Sequence, residues 1–144
     1  MTFAREDLSS VMDDVMPLVQ RHWDELGEWT GMPFSDTLDR YLETDRVRFY
    51  TVRRDGKIVG YSLFVLAEDE HVGVLAATEA ALYLLPEYRG RTIGYRFLAW
   101  TEEQLDSEGA QIIYRHTTPT VPLGPLLEKL GHQVVDVCYA RRVR

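Results

Sequence analysis

Two runs rich in β-branched and aromatic residues, Arg46 to Arg53 and Lys57 to Ala67, are separated by little more than Asp55-Gly56. An Asp-Gly link of this kind predicts a tight hairpin, because both residues tolerate positive φ and that matches the twist of the flanking strands. The second run contains IVGYSLFVL, apolar on successive rather than alternate positions. Both of its faces therefore need cover, which makes it a central strand with structure packed on each side. A polar turn, Glu68 to Gly73, leads to a third long strand, Val74 to Leu85.

Helical periodicity supplies the cover. Leu8, Val11, Val15, Leu18, Val19, His22 and Leu26 recur on one side of a helix, with Asp7 or Ser9 as N-cap and Pro17 expected to kink or divide it. Residues 2–6 read as a short first strand. GEWTGMPFS, Gly27 to Ser35, reads as a loop, and a short helix is expected over Asp36 to Thr44, capped by Ser35. Ile93, Phe97, Leu98, Thr101 and Leu105 mark a helix over Ile93 to Ser107, stopped by Gly109. Residues 110–116 read as a strand, Leu123 to Leu130 as a helix ending at Gly131, and His132 to Val143 as the strand that closes the sheet. The expected fold is a single α/β (α+β) domain, residues 1–144, with a mixed, mostly antiparallel central sheet of six to seven strands and helices on both faces.

The chain has 144 residues, a formal net charge of −7 and one cysteine, Cys138. The acidic balance weighs against broad binding to nucleic acid or an anionic membrane. A lone cysteine forms no internal disulfide and reads as a small buried strand residue. There is no long apolar window and no export pattern in MTFAREDLSS, so a cytoplasmic protein without a membrane span is expected. No metal is expected. There is neither a G-x-G-x-x-G after an early strand nor a G-x-x-x-x-G-K-S/T loop.

The chemistry-bearing stretch is LYLLPEYRGRTIGY, Leu82 to Tyr95. A strand that stops at Pro86 and restarts as a helix near Ile93 leaves helix-terminal N–H groups pointing at one spot beside Arg89 and Arg91. Such a spot suits an anion, most plausibly a pyrophosphate. Arg89, Gly90, Arg91, Thr92, Ile93 and Gly94 resemble the coenzyme A signature Arg/Gln-x-x-Gly-x-Gly/Ala of the GCN5-related N-acetyltransferase (GNAT) family. LYLLPEYRG resembles that family's fourth strand, LLEKLGH its late stretch, and the order of elements matches from end to end. Thr92 departs from the usual glycine, and Leu127 stands where many members place a tyrosine that protonates the leaving thiolate. His22-Trp23, Gly60-Tyr61, PEYRGRTIG and Tyr139 look closest to small bacteriophage-encoded members, for which the host cytoplasm would be the location.

The resemblance implies an acetyl-CoA-dependent N-acetyltransferase acting on a primary amine of a small molecule or protein, as a monomer or homodimer. A phage-type enzyme acting on an amine of a modified nucleotide, or a non-catalytic acyl-CoA-binding or interaction module, are the alternatives. The pantetheine arm would lie along Leu82, Tyr83 and Leu84, the pyrophosphate on the amides of Gly90 to Gly94, and the oxyanion near the N–H groups of Leu84 and Leu85. His22, Trp23, Glu25, Trp29, Met32 and Phe34 would form the acceptor wall, with His22, Trp29 and Phe34 as substrate contacts and Glu25, Glu28 and Asp36 favouring a cationic amine.

A lysine-like amine with pKa about 10.4 costs roughly 4.6 kcal/mol to deprotonate at pH 7, whereas a thiol of pKa about 8.5 leaves for roughly 2 kcal/mol. Losing the acid therefore matters less than losing the base, and Leu127 is tolerable. Glu79, the one acid in TEAALYLL, is either the solvated or arginine-paired end of a strand or the base that takes the amine proton. His116 is either that base or a strand-end histidine bonded to a carbonyl. Tyr114 is either a weak acid or a packing residue.

Overall fold

A computed structural model describes residues 1–35, 38–90 and 92–144. Asp55 (φ 50°) and Gly56 (φ 79°) both take positive φ, as a type I′ turn requires, and Arg54 pairs with Lys57 across them. The turn joins β2 (Val47–Arg54) to β3 (Lys57–Glu68). With β1 (Thr2–Glu6), β4 (Leu75–Leu84) and β5 (Ile112–Tyr114), they form one sheet in the order β1-β2-β3-β4-β5. The first four strands are antiparallel in turn, and β5 runs parallel to β4. Residues 58–64 of the central β3 are buried without interruption, as the double-sided apolar run demands.

One face is covered by α1 (Leu8–Leu26), whose stripe Leu8, Val11, Val15 and Leu18 packs on Phe49, Tyr61, Leu63 and Tyr83. The other face packs on α2 (Thr92–Ser107), where Phe97 and Leu105 meet Tyr50, Val52, Phe64 and Ala77. Each such large apolar side chain removed from water contributes about 1.5–3 kcal/mol. Asp7 caps α1 by accepting from the Ser9 N–H. Pro17 does not divide α1, which continues as one helix from Leu8 to Leu26. Buried residues on both sides of the proline hold the two halves to the same face of the sheet.

β4 contains one extra residue. Phe64 pairs with Glu79 and Leu63 pairs with Ala81, so Ala80 is a bulge. Before it, Leu75 and Ala77 face α2; after it, Leu82 and Leu84 face α2 while Ala81 and Tyr83 face α1.

Several expectations are corrected. Among the described residues the sheet has five strands, not six to seven. The strand expected over 110–116 is confined to Ile112–Tyr114, and residues 132–143 join no ladder. Gly131 (φ 95°) and the His132 N–H to Leu127 carbonyl bond end α3 (Gly124–Lys129). Cys138, expected to be buried, is exposed. Asp36 and Thr37, the start of the expected second helix, lie outside the described residues, and Leu38–Glu43 form 3-10 turns.

Candidate active site

β4 and β5 are paired from Ala76–Ile112 to Thr78–Tyr114 and no further, whereas β4 continues to Leu84. The edge of β4 that faces β5 is therefore open over its second half. The Leu85 N–H donates to the Val59 carbonyl at 2.9 Å. Antiparallel alternation then turns the backbone of Tyr83 and Ala81 toward β3 and that of Leu82 and Leu84 toward the open edge. Of the expected pantetheine contacts, Leu82 and Leu84 have the right orientation. Tyr83 does not: its backbone faces β3 and its side chain is buried in the α1-side core. Of the two amides expected near an oxyanion, that of Leu85 is already used by β3, which leaves Leu84.

The loop after β4 reaches α2 through a 3-10 turn at Pro86–Tyr88 and Gly90 (φ 75°). Thr92 is the first residue of α2 and has no positive φ, so threonine is unstrained there and its N–H is one of the free donors of the helix terminus. A Cβ added at Gly90 or at Gly94 would meet nothing within 4 Å. The backbone is thus bare where a phosphate would approach, beside the positive end of a sixteen-residue helix. These features fit coenzyme A. Arg91, also expected at this spot, lies outside the described residues.

Arg89 is placed differently from the expectation. Its Nε donates to the Leu84 carbonyl at 2.7 Å, and Nη1 and Nη2 meet the Glu25 carboxylate at 2.5 and 2.8 Å. The guanidinium also stacks over the Tyr83 ring. Each of its three nitrogens donates to α1 or to the end of β4, because a carboxylate matches the fork geometry of a guanidinium. The same cluster contains His22, which stacks on Tyr83 and lies 2.8 Å through Nδ1 from the Tyr61 hydroxyl. Burial holds His22 down at about 4, so it is neutral at physiological pH. Burial likewise pushes the Tyr61 hydroxyl up. Neither Tyr61 nor the Glu25–Arg89 pair was apparent from local sequence.

Glu79 lies on the α2 side and is 5% exposed. Its Oε2 accepts from Ser62 Oγ at 2.7 Å and from Arg115 Nη1 at 2.6 Å. Arg115 also binds Glu102, the Leu98 carbonyl and Thr101 Oγ1. Burial raises the Glu79 carboxyl against the pull of Arg115. Of the two readings of Glu79, the geometry shows the arginine-paired carboxylate, buried in this network. Arg115, which ties β5 to β4 and α2 together, was missed because its partners are far away in the chain.

His116 stands just beyond the last β4–β5 pair, with Nδ1 3.1 Å from the Glu79 carbonyl. A carbonyl can only accept, so Nδ1 carries a proton, and in the neutral ring the lone pair is on Nε2. Of the two readings of His116, the geometry shows the strand-end histidine bonded to a carbonyl. Tyr114 donates its hydroxyl to Asp69 at 2.7 Å, which pushes its pKa up; this commits the hydroxyl to the turn before β4. Leu127 is buried and offers no acid. On the α1 side, Trp29 is 63% exposed and Met32 is exposed, while Phe34 is half-buried. Asp36 is outside the described residues.

Comparison with known proteins bears on this arrangement. The chain is 17% identical to a ribosomal-protein-alanine N-acetyltransferase from Brucella melitensis biovar Abortus 2308, covering 99% of this chain and 100% of that one with a TM-score of 0.75. It is 16% identical to the aminoglycoside N-acetyltransferase AAC(6')-Iy in complex with CoA, covering 99% of each with a TM-score of 0.70. A transcriptional regulator from Bacillus halodurans C-125 is 15% identical, with 99% of each chain covered and a TM-score of 0.77. These likenesses establish the fold. Among curated proteins no sequence matches. The profile described as "Acetyltransferase (GNAT) family" matches residues 12–131, and the chain belongs to that family.

Proposed function

We propose that the protein is an acetyl-CoA-dependent N-acetyltransferase that acts on a primary amine of a small molecule or protein, with His116 as the group that takes the amine proton. The observation that carries this reading is the opening between β4 and β5 beyond Thr78 and Tyr114, with His116 at its start. When bound, acetyl-CoA supplies an activated acetyl carbon. The backbone of Leu82 and Leu84 would hold the pantetheine arm as an added strand, and the N-terminus of α2 with Gly90 and Gly94 would hold the pyrophosphate. The Leu84 N–H is the donor for oxyanion charge. His116 Nε2 removes the proton from the amine, while Glu79 fixes the ring through its carbonyl rather than through its carboxylate.

The amine would enter from the side of Trp29, Met32 and Phe34. Glu25 adds little attraction for a cation, since Arg89 already neutralises it. The phage-like appearance rests on residues such as His22-Trp23 and Tyr139, and its corollary, a modified-nucleotide amine, is disfavoured by the net charge of −7. Calorimetry with acetyl-CoA followed by thiol release over an amine panel tests the proposal. Binding accompanied by amine-dependent thiol release supports the enzyme. Binding without release on any amine would leave an acyl-CoA-binding module, and no binding at millimolar cofactor would sink both.

A further inference from the structure

Beyond the pair Thr78–Tyr114 the backbone ladder of β5 ends, and the next two residues are held by their side chains instead. Both grip the same residue of β4. Arg115 Nη1 donates to the Glu79 carboxylate at 2.6 Å, and His116 Nδ1 donates to the Glu79 carbonyl at 3.1 Å. Glu79 is itself anchored, since it pairs with Phe64 on β3 and its Oε2 accepts from Ser62 Oγ at 2.7 Å. The residue that follows it is the bulge, Ala80, where β4 changes face. The fork between the two strands is therefore pinned at Glu79, through its carboxylate by a guanidinium and through its carbonyl by an imidazole.

The guanidinium has little freedom of its own. Nε donates to Glu102 Oε2 at 2.8 Å, and Nη2 donates to the Leu98 carbonyl at 3.1 Å and to Thr101 Oγ1 at 2.7 Å. The Thr101 hydroxyl gives its proton to the Leu98 carbonyl at 2.8 Å, which leaves its lone pairs to Arg115. The Phe64 ring lies against the guanidinium, with its centroid 5.1 Å away. Stability alone does not account for burying such a network, because desolvation offsets most of the attraction in a buried ion pair and apolar residues of the same volume commonly do as well. What the fork of donors does supply is direction: its planar set of N–H groups fits one arrangement of acceptors. Those acceptors belong to β4, the strand with the open edge, and to α2, the helix with the free N-terminus.

We propose that Arg115 is a positioning residue, which sets the place and the ring orientation of His116 by clasping the end of β5 to Glu79 and to α2. The inference rests on the reading of His116 as the group that takes the amine proton. Arg115 is enclosed and acts through its neighbour in the chain. With the clasp closed, the Glu79 carbonyl stays within reach of Nδ1, which keeps that nitrogen protonated and leaves Nε2 as the basic nitrogen of the neutral ring. With the clasp loosened, residues 115 and 116 hang beyond a parallel ladder that ends at Tyr114, and the ring is free to adopt either tautomer.

Arg115→Lys tests this, since lysine keeps the charge but not the planar fork. Glu102→Ala is a second variant, which removes one anchor of the guanidinium at a partly exposed helix position, so the test does not depend on the folding of the first. Circular dichroism checks the fold of both. The His116 ring, labelled with nitrogen-15, is followed by NMR in alkaline solution, where an imidazole is neutral. The Nδ1–H tautomer should predominate in the unaltered protein. Its ratio to the Nε2–H tautomer should fall about tenfold in Arg115→Lys, the effect of losing one hydrogen bond of ordinary strength, and by a smaller factor in Glu102→Ala. In amine-dependent thiol release kcat should fall by about tenfold in Arg115→Lys, while the calorimetric affinity for acetyl-CoA holds. A ratio unchanged in the folded variants, an Nε2–H ring in the unaltered protein, or a loss of turnover matched by an equal loss of acetyl-CoA binding would overturn the inference. If the unaltered protein releases no thiol with any amine, the reading of His116 as base fails by itself, and the tautomer ratio still decides whether Arg115 orients the ring.

Discussion

Arg89 and Glu25, sixty-four residues apart, meet in a two-point ion pair that fastens the end of β4 to the last turn of α1. The arginine of the coenzyme A signature therefore serves in the protein's own framework. Its Nε bond to the Leu84 carbonyl fixes one of the two open-edge residues that a pantetheine arm would meet.

The pair is partly exposed, so its net contribution should be modest. A double-mutant cycle of Glu25→Gln and Arg89→Gln is expected to give a coupling of about 1 kcal/mol at pH 7. The guanidinium holds the Glu25 carboxyl below its ordinary range, so the stabilisation is present above the unfolded-state value and fades as pH falls through the folded one. Urea midpoints measured at pH 7 and in mild acid would check this. A coupling that grows on acidification would contradict it.

Glu79→Gln removes one charge partner of Arg115, whose side chain is fully buried. Glu102 still pairs with Arg115, so a destabilisation of about 1–3 kcal/mol is expected from the loss of one of its two carboxylates. With His116 as the proposed base, the pH profile of acetyl transfer should keep its shape. Loss of the acid-side limb of that profile in a folded Glu79→Gln protein would return Glu79 to the role of base.

His116→Gln retains a donor toward the Glu79 carbonyl but no basic nitrogen. The expected result is a fall in kcat of about a hundredfold at neutral pH with little change in KM for acetyl-CoA. The deficit should shrink in alkaline solution, where the amine is already neutral. A deficit that is constant across pH would mean that His116 only positions β5.

His22 should titrate with a midpoint of about 4, below its ordinary value of 6.5, as followed by its ring resonances. Its folded value is depressed, so the stability it confers is present above about 6.5 and lost as pH falls toward 4. His22→Gln should flatten that part of the stability curve. An unchanged curve would show that the buried ring adds no proton linkage.

At Gly60 there is no room for a side chain: an added Cβ would sit 2.8 Å from Leu84 Cδ1 and 2.9 Å from the Tyr83 carbonyl oxygen. Gly60→Ala is expected to cost about 1–3 kcal/mol, measured as a lowered urea midpoint. It should also raise KM for acetyl-CoA, since the strand end that is pushed aside carries Leu82 and Leu84.

The hairpin at Asp55-Gly56 and the central strand after it were legible because both depend on residues adjacent in sequence. The stripes of α1 and α2 were legible for the same reason, since side chains three and four apart share a face whatever lies opposite. Arg115 and Glu79 were not, because the two meet only after β5 has been placed beside β4, thirty-six residues away. Arg89 was read through its neighbours Gly90 and Gly94, which do line the helix terminus, while its own partner waits on α1. The segment after Gly131 reads as the closing strand from its composition, yet it joins no ladder, because composition does not supply an edge to pair with.

The bulge at Ala80 has a consequence for how β4 can change. Glu79 and Leu82 project to the same side although they are three apart, so the strand behaves as two lengths of ribbon spliced half a repeat out of phase. The leading length answers to the buried ion pair beneath α2; the trailing length answers to the open cleft and to the His22 cluster. Removing Ala80 would alter no chemical group in either, yet it would transpose Tyr83 with Leu82 and Leu84 between the two layers. A single uncharged alanine thus lets one strand obey two unrelated sets of constraints.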